Sequence, residues 1–297
     1  MYTANWSAAT PGCLIFLLDQ SESMEEPFGY SQAGRGQSKC EVVSTVINSS
    51  KNELITVNTV IGSNSQADAR PRADIAVLGY HQTTVTSALS GPLATREFAS
   101  LPDLQQNPAR VETRAKQELD GTGHVTEIPV PFPVWVEPVA TGGTPMLKAL
   151  QRARELAKGW ASAHPESYPP IILNLTDGAA TDSHVAGDLE AEAREITQIA
   201  TNDGHALLFT VHLTSLKAYP VSYPATEDEL PQDPFARRLF ALTSPIPDEA
   251  RALLDTLLGR AVPPGARGLI FNGDALSLLL MFQFASAPAV PHVDPNR

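Results

Sequence analysis

Basic residues are scarce in this sequence: 21 Lys and Arg stand against 33 Asp and Glu, a formal charge of −12. No basic stripe exists to displace the counterions of a phosphate backbone, which argues against a nucleic-acid partner. Cysteine is scarcer still. Cys13 in an apolar run and Cys40 on an amphipathic stretch read as buried thiols acting as small hydrophobes, more in keeping with a reducing compartment than with a disulfide. The seven histidines have no metal-ligand spacing, and no CxxC, P-loop or GxGxxG occurs. The opening MYTANWSAATPG lacks a basic segment followed by an apolar run, so it does not read as a secretory signal, and a cytoplasmic location is expected. ALSLLLMFQFA from Ala275 is apolar nearly all round, yet spans about half the roughly 20 residues of a bilayer crossing. It reads as a buried helix.

What is present is the patterning of an α/β protein. The 297 residues, 42% of them hydrophobic, suffice for a large core. CLIFLL at 13–18 is a short apolar run ending at Asp19, the pattern of a strand buried on both faces of a parallel sheet. Val42, Val43, Val46, Ile47, Leu54 and Ile55 then recur at helical spacing. DIAVLGY at 74–80 predicts a second strand. Thr144 as N-cap, Pro145 in the first turn and the periodic Met146, Leu147, Leu150, Leu156 and Trp160 predict a second helix. Ile171–Leu175, a helix over roughly 186–202, and strands at 206–213 and 268–271 continue the alternation. The expected fold is a Rossmann-like, doubly wound, mostly parallel sheet with helices on both faces. Two proline-rich segments interrupt it. Residues 91–138 read as an insertion containing an edge strand or hairpin, and 214–265 as a segment capping one end of the sheet; the whole of 1–297 reads as one domain.

Ligands of such sheets gather at the carboxyl ends of the strands. Three oxygen-rich segments map there: Asp19-Gln20-Ser21-Glu22-Ser23, Thr141-Gly142-Gly143-Thr144 and Thr176-Asp177-Gly178. Mg²⁺ takes about six oxygens near 2.0–2.1 Å and keeps several waters. The hydroxyls of Ser21, Ser23 and Thr144 with the carboxylates of Asp19 and Asp177, some acting through water, meet that demand. Ser21 and Ser23, two apart in an extended loop, would face the same way. Mn²⁺ or Ca²⁺ suits the same donors. Each segment has an ordinary explanation by itself: a turn at Asp177-Gly178, a helix cap at Thr144, loop serines at 21 and 23. Their joint occurrence is what points to a site. Phe28 and Tyr30 in the following loop read either as partner-contacting aromatics or as packing that fastens the loop.

DQSESM after a strand, TGGTP before a helix and LTDG after a strand, in that order, resemble the metal-ion-dependent adhesion site of von Willebrand factor A domains over residues 13–215. The resemblance implies that Ser21, Ser23 and Thr144 approach the ion while Asp19 and Asp177 act mainly through waters. Glu22 departs from it, standing where these motifs usually have glycine. LGY at 78–80, FPVWVEPVATGGTPM at 132–146, ILNLTDGAATD at 172–182 and PGARGLIFNGD at 264–274 extend the likeness to bacterial von Willebrand A proteins of tellurium-resistance and stress-response systems.

Two carboxylates nominally balance a divalent ion, and where they bind mainly through water the ion keeps electrophilic character toward a further anionic oxygen. The expected function is therefore a non-enzymatic docking module whose protein partner supplies an Asp or Glu. The resemblance implies a scaffold in a stress or defence pathway linked to a protein kinase and a PP2C-type phosphatase. The alternatives are a Mg²⁺-dependent phosphatase or phosphotransferase using Asp19, and a subunit coupling to an AAA+ ATPase. For the first, no second Asp stands at position 21; a serine nucleophile would need a GxSxG elbow and an adjacent histidine, and no histidine lies near those loops in sequence, although His184 could approach from the loop after Asp177.

Overall fold

Gly12–Asp19 (β1) is buried along its entire length, as the apolar run requires of a central strand. Its side chains alternate: Leu14, Phe16 and Leu18 enter one core cluster, Cys13, Ile15 and Leu17 the other. Residues 2–28, 36–61, 67–119, 125–214 and 219–286 are described by the computed structural model. Tyr30 lies outside them. Phe28 is half-buried against the first cluster, as a loop fastener would be.

The remaining strands of the main sheet are Ala73–His81 (β2), Thr84–Ser87 (β3), Ala99–Ser100 (β4), Ile171–Thr176 (β7), Leu207–Leu213 (β8), Val221–Ser222 (β9) and Leu269–Gly273 (β10). Arg110–Leu119 (β5) and Val125–Val134 (β6) form a separate antiparallel ladder. The sheet runs β9-β10-β8-β7-β1-β2-β3, with β4 pairing β2. The five inner strands, β2, β1, β7, β8 and β10, are mutually parallel, whereas β3, β4 and β9 pair antiparallel at the flanks. The sheet is thus largely parallel and flanked by several helices, a Rossmann-like topology.

Helix α1 (Lys39–Val57) carries a complete capping box, Ser38 accepting from the Glu41 amide while the Glu41 side chain accepts from that of Ser38. It packs with α7 (Ala275–Ser286) in the Phe16 cluster. Between them in sequence come α2 (Leu101–Gln106), α3 (Met146–Ala163), α4 (Asp188–Thr197), α5 (Pro234–Leu242) and α6 (Asp248–Leu258). Helices α3, α4 and α5 contribute Leu150, Ile196 and Leu239 to the opposite cluster, so helices lie on both faces. Residues 214–265 give α5 to one face and α6, through Leu254, to the other.

Several details differ from the sequence expectation. Helix α4 covers 188–197, not 186–202: Asn202-Asp203-Gly204 turns the chain, and a short ladder pairs Ala200–Thr201 with Gly204–His205. The N-cap of α3 is Pro145, without a side-chain cap, so Thr144 falls one residue outside. The first amides are taken instead from afar, Leu147 N–H and Lys148 N–H donating to Asp182 Oδ1 and Oδ2 at 3.1 and 3.0 Å. Cys13 and Cys40 are both buried free thiols and belong to clusters on opposite sheet faces. Among the described residues no helix is long and apolar enough to cross a membrane.

Candidate metal centre

The chain leaves β1 toward β2 on one side and, after α3, β7 toward β8 on the other, so the strand order reverses between β1 and β7. A crevice opens at such a switch point, outside the carboxyl ends of the strands. Leu18 pairs with Leu175 in register, which sets Asp19 beside Thr176. Thr176 Oγ1 donates to Asp19 Oδ2 at 2.7 Å, and the Ser21 amide donates to Asp19 Oδ1 at 2.9 Å.

After Asp19 the chain enters a 3-10 turn over Glu22–Glu25, with Ser21 as its extended N-cap. The serines therefore meet across a turn, not along an extended loop. Their hydroxyls lie 3.2 Å apart, and Ser23 Oγ donates onward to Asp177 Oδ1 at 2.8 Å. Met24, fully buried in the Phe16 cluster, anchors that turn. Glu22 needs no glycine-like backbone, since it is absent from the residues with positive φ, and its side chain is exposed.

The TGGT loop is stitched to its neighbours. Thr141 N–H donates to Gln20 O at 2.7 Å and Glu22 N–H to Gly142 O at 2.9 Å. Gly142 has φ +68, and a Cβ there would stand 2.5 Å from Gln82 Cγ. Only glycine fits that turn without strain. Thr144 N–H donates to Thr181 Oγ1 at 2.9 Å, and Thr181 N–H returns to Thr144 O at 2.9 Å. Thr144 Oγ1 lies 3.8 Å from where a Cβ on Gly178 would be. Asp19, Ser21, Ser23 and Asp177 thus form one hydrogen-bonded chain. Thr144 is attached to it, among the described residues, through the loop at 178–181 and not by a side-chain bond.

Asp19 is 1% exposed. Burial pushes its carboxyl up to about 6, bonds from Ser21 and Thr176 pull the other way, and the charge of Asp177 raises it further. Its bonded partners among the described residues are neutral donors. A buried carboxylate bonded to Ser21, with the Ser23 hydroxyl beside that of Ser21 and no cationic partner among the described residues, fits a hard divalent cation, and so does the all-oxygen donor set. The described residues contain no group of three or more His, Cys, Asp or Glu side chains able to hold a metal, so any ion here would depend on the hydroxyls.

Two further residues converge on Asp177 and were not apparent from sequence. Lys39, at the start of α1, donates to Asp177 Oδ2 at 2.6 Å, to Glu26 Oε2 at 3.0 Å and to Ser23 O at 3.2 Å. Its side chain is 3% exposed and that of Asp177 1%. His212 pairs with Thr176 across β8 and β7 and bonds the Asp177 backbone. Its Nδ1 accepts from Asn272 N–H at 3.2 Å, so Nε2 carries the proton of the neutral ring. Burial holds this imidazole down to about 4, against the pull of Asp177. It stacks on Phe271 at 4.3 Å. The histidine that reaches the cluster is therefore His212; His184 is exposed.

No protein-family model and no curated protein matches the chain. Among solved structures, the PilB minor pilin from Streptococcus sanguinis is similar at a TM-score of 0.42 and 7% identity, over 94% of this chain and 61% of that one. The chain spans less than two thirds of that protein's length.

Proposed function

We propose that this chain is a von Willebrand factor A domain that binds Mg²⁺ through Asp19, Ser21, Ser23, Thr144 and Asp177 and uses it to dock a carboxylate of a protein partner. One observation carries the reading: a buried Asp19 carboxylate with no cationic partner among the described residues, joined through Ser21 and Ser23 to Asp177 at the switch point of the sheet. The largely parallel sheet with helices on both faces is in keeping with the fold that the sequence pattern predicts. When bound, the ion supplies an electrophilic position for an anionic oxygen. The chain's part is to hold that position still. Ser21 and Ser23 are fixed by the turn over Met24, Thr144 by its backbone bonds to Thr181, and Asp19 by Thr176 and the Ser21 amide. The stress-response adaptor role, with a kinase and a PP2C-type phosphatase as cytoplasmic partners, rests on the sequence motifs alone.

The test is affinity purification of the full chain with and without chelator, alongside Asp19→Ala. Partner binding that disappears with chelator and in the variant supports docking through the ion. Binding that survives both overturns it, and turnover of an acyl phosphate or phosphate ester lost in Asp19→Asn would move the reading to an enzyme.

A further inference from the structure

We propose that Lys39 is a resident counter-charge of the metal centre, holding the site together without an ion and making ion binding and anionic-ligand binding reinforce each other. The inference rests on the metal-centre reading and deepens it. An ammonium has three donors, and all three are used here, on Asp177 Oδ2, Glu26 Oε2 and Ser23 O. Lys39 therefore has no donor left for an external ligand. Its effect is on charge and position.

The two oxygens of Asp177 face different ways. Oδ2 is held by Lys39, and Oδ1 takes the Ser23 hydroxyl, which itself lies beside Ser21. The ammonium thus does on one side of Asp177 what a metal would do on the other. Three of its contacts also tie together pieces that must be in register for a site to exist: the start of α1, the turn after β1 and the loop after β7. In its absence the buried Asp177 would lack a cation unless an ion bound.

The charge count gives the functional consequence. Asp19 and Asp177 contribute −2 and Lys39 +1; Glu26, 57% exposed, is largely screened by solvent. A divalent ion entering this site leaves a net +1, where two carboxylates alone would leave zero. The site so charged holds a bare ion weakly and attracts an anionic oxygen strongly. By reciprocity, a ligand that binds better because the ion is present also tightens the ion. Lys39 is a positioning and specificity residue: it shifts the centre from storing a metal toward taking one together with an acidic ligand.

Calorimetric titration of the full chain with Mn²⁺, with sodium acetate present or absent, tests this in wild type and Lys39→Gln. The variant should bind Mn²⁺ at least about tenfold more tightly than wild type without acetate, the scale expected for deleting a buried unit charge at close range. Acetate should tighten Mn²⁺ in wild type and have a smaller effect in the variant. Equal or weaker Mn²⁺ binding by Lys39→Gln, with wild type binding normally, overturns the role of Lys39 and leaves the metal centre standing. Absence of Mn²⁺ binding in both overturns the two together. If Lys39→Gln does not fold without metal, circular dichroism replaces affinity. Recovery of the fold by Mn²⁺, and not by Na⁺ at equal ionic strength, supports substitution of one cation for the other; no recovery overturns it.

Discussion

Replacing Asp19 by Asn should stabilise the metal-free protein while abolishing its response to metal. The folded carboxyl titrates at about 6 against an ordinary 3.8, chiefly because it is buried. At about 1.4 kcal/mol per pH unit, the ionised group costs the folded state on the order of 3 kcal/mol above pH 6. The sign follows from proton binding. Between pH 4 and 6 the folded chain holds a proton that the unfolded chain has released, so this residue makes stability fall as pH rises, and above pH 6 the penalty is constant. Asn keeps the shape. Its oxygen can accept from the Ser21 amide, and the Thr176 hydroxyl can turn to accept from its NH₂. In chelator at pH 7, thermal unfolding of Asp19→Asn should come several degrees above wild type, at roughly 2–4 °C per kcal/mol for a chain of this order of size. The wild-type minus variant difference should vanish as pH falls below about 4. Added Mg²⁺ should raise the melting temperature of wild type only. A variant no more stable than wild type in chelator, or a difference independent of pH, refutes the account of Asp19.

Lys51 is fully buried, lies 5.8 Å from the Phe16 ring centre and has no hydrogen-bond partner among the described residues; burial pulls its ammonium down to about 7. Because its folded value is depressed, it costs stability increasingly as pH falls from about 10 to 7. Lys51→Met should stabilise the protein at pH 7 by several kcal/mol in urea denaturation, and destabilisation would contradict the burial argument. Gly142→Ala should cost about 1–3 kcal/mol through its φ of +68 and its approach to Gln82, and should weaken Mg²⁺ binding by loosening the loop that carries Thr144. Calorimetry showing unaltered Mg²⁺ affinity in Gly142→Ala would uncouple that loop from the centre.

The strands were legible because each central one is a short apolar run with a polar loop at its end: CLIFLL before Asp19 and IILNL before Thr176 became β1 and β7. Their shared register could be expected only as a consequence of the parallel fold, yet it is what brings Asp19 to Thr176. Local signals misled where a distant group did the local job. Thr144-Pro145 looks like a helix cap, but Asp182 satisfies the amides of α3 from the loop after β7, and Thr144 is left to the crevice. Lys39 and His212 were invisible as site residues for the same reason. One begins a helix and the other stands near the end of a strand, and nothing near either in sequence announces Asp177. Both are found only once β1, α1, β7 and β8 are side by side.

Calorimetric titration of Mg²⁺ into chelator-treated wild type and Ser21→Ala tests the central claim most directly, since the alanine removes one hydroxyl without adding or deleting charge. The account predicts one ion bound per wild-type chain and a loss of at least about tenfold in affinity in the variant. Indistinguishable isotherms for the two proteins, or no Mg²⁺ binding by wild type, would contradict it.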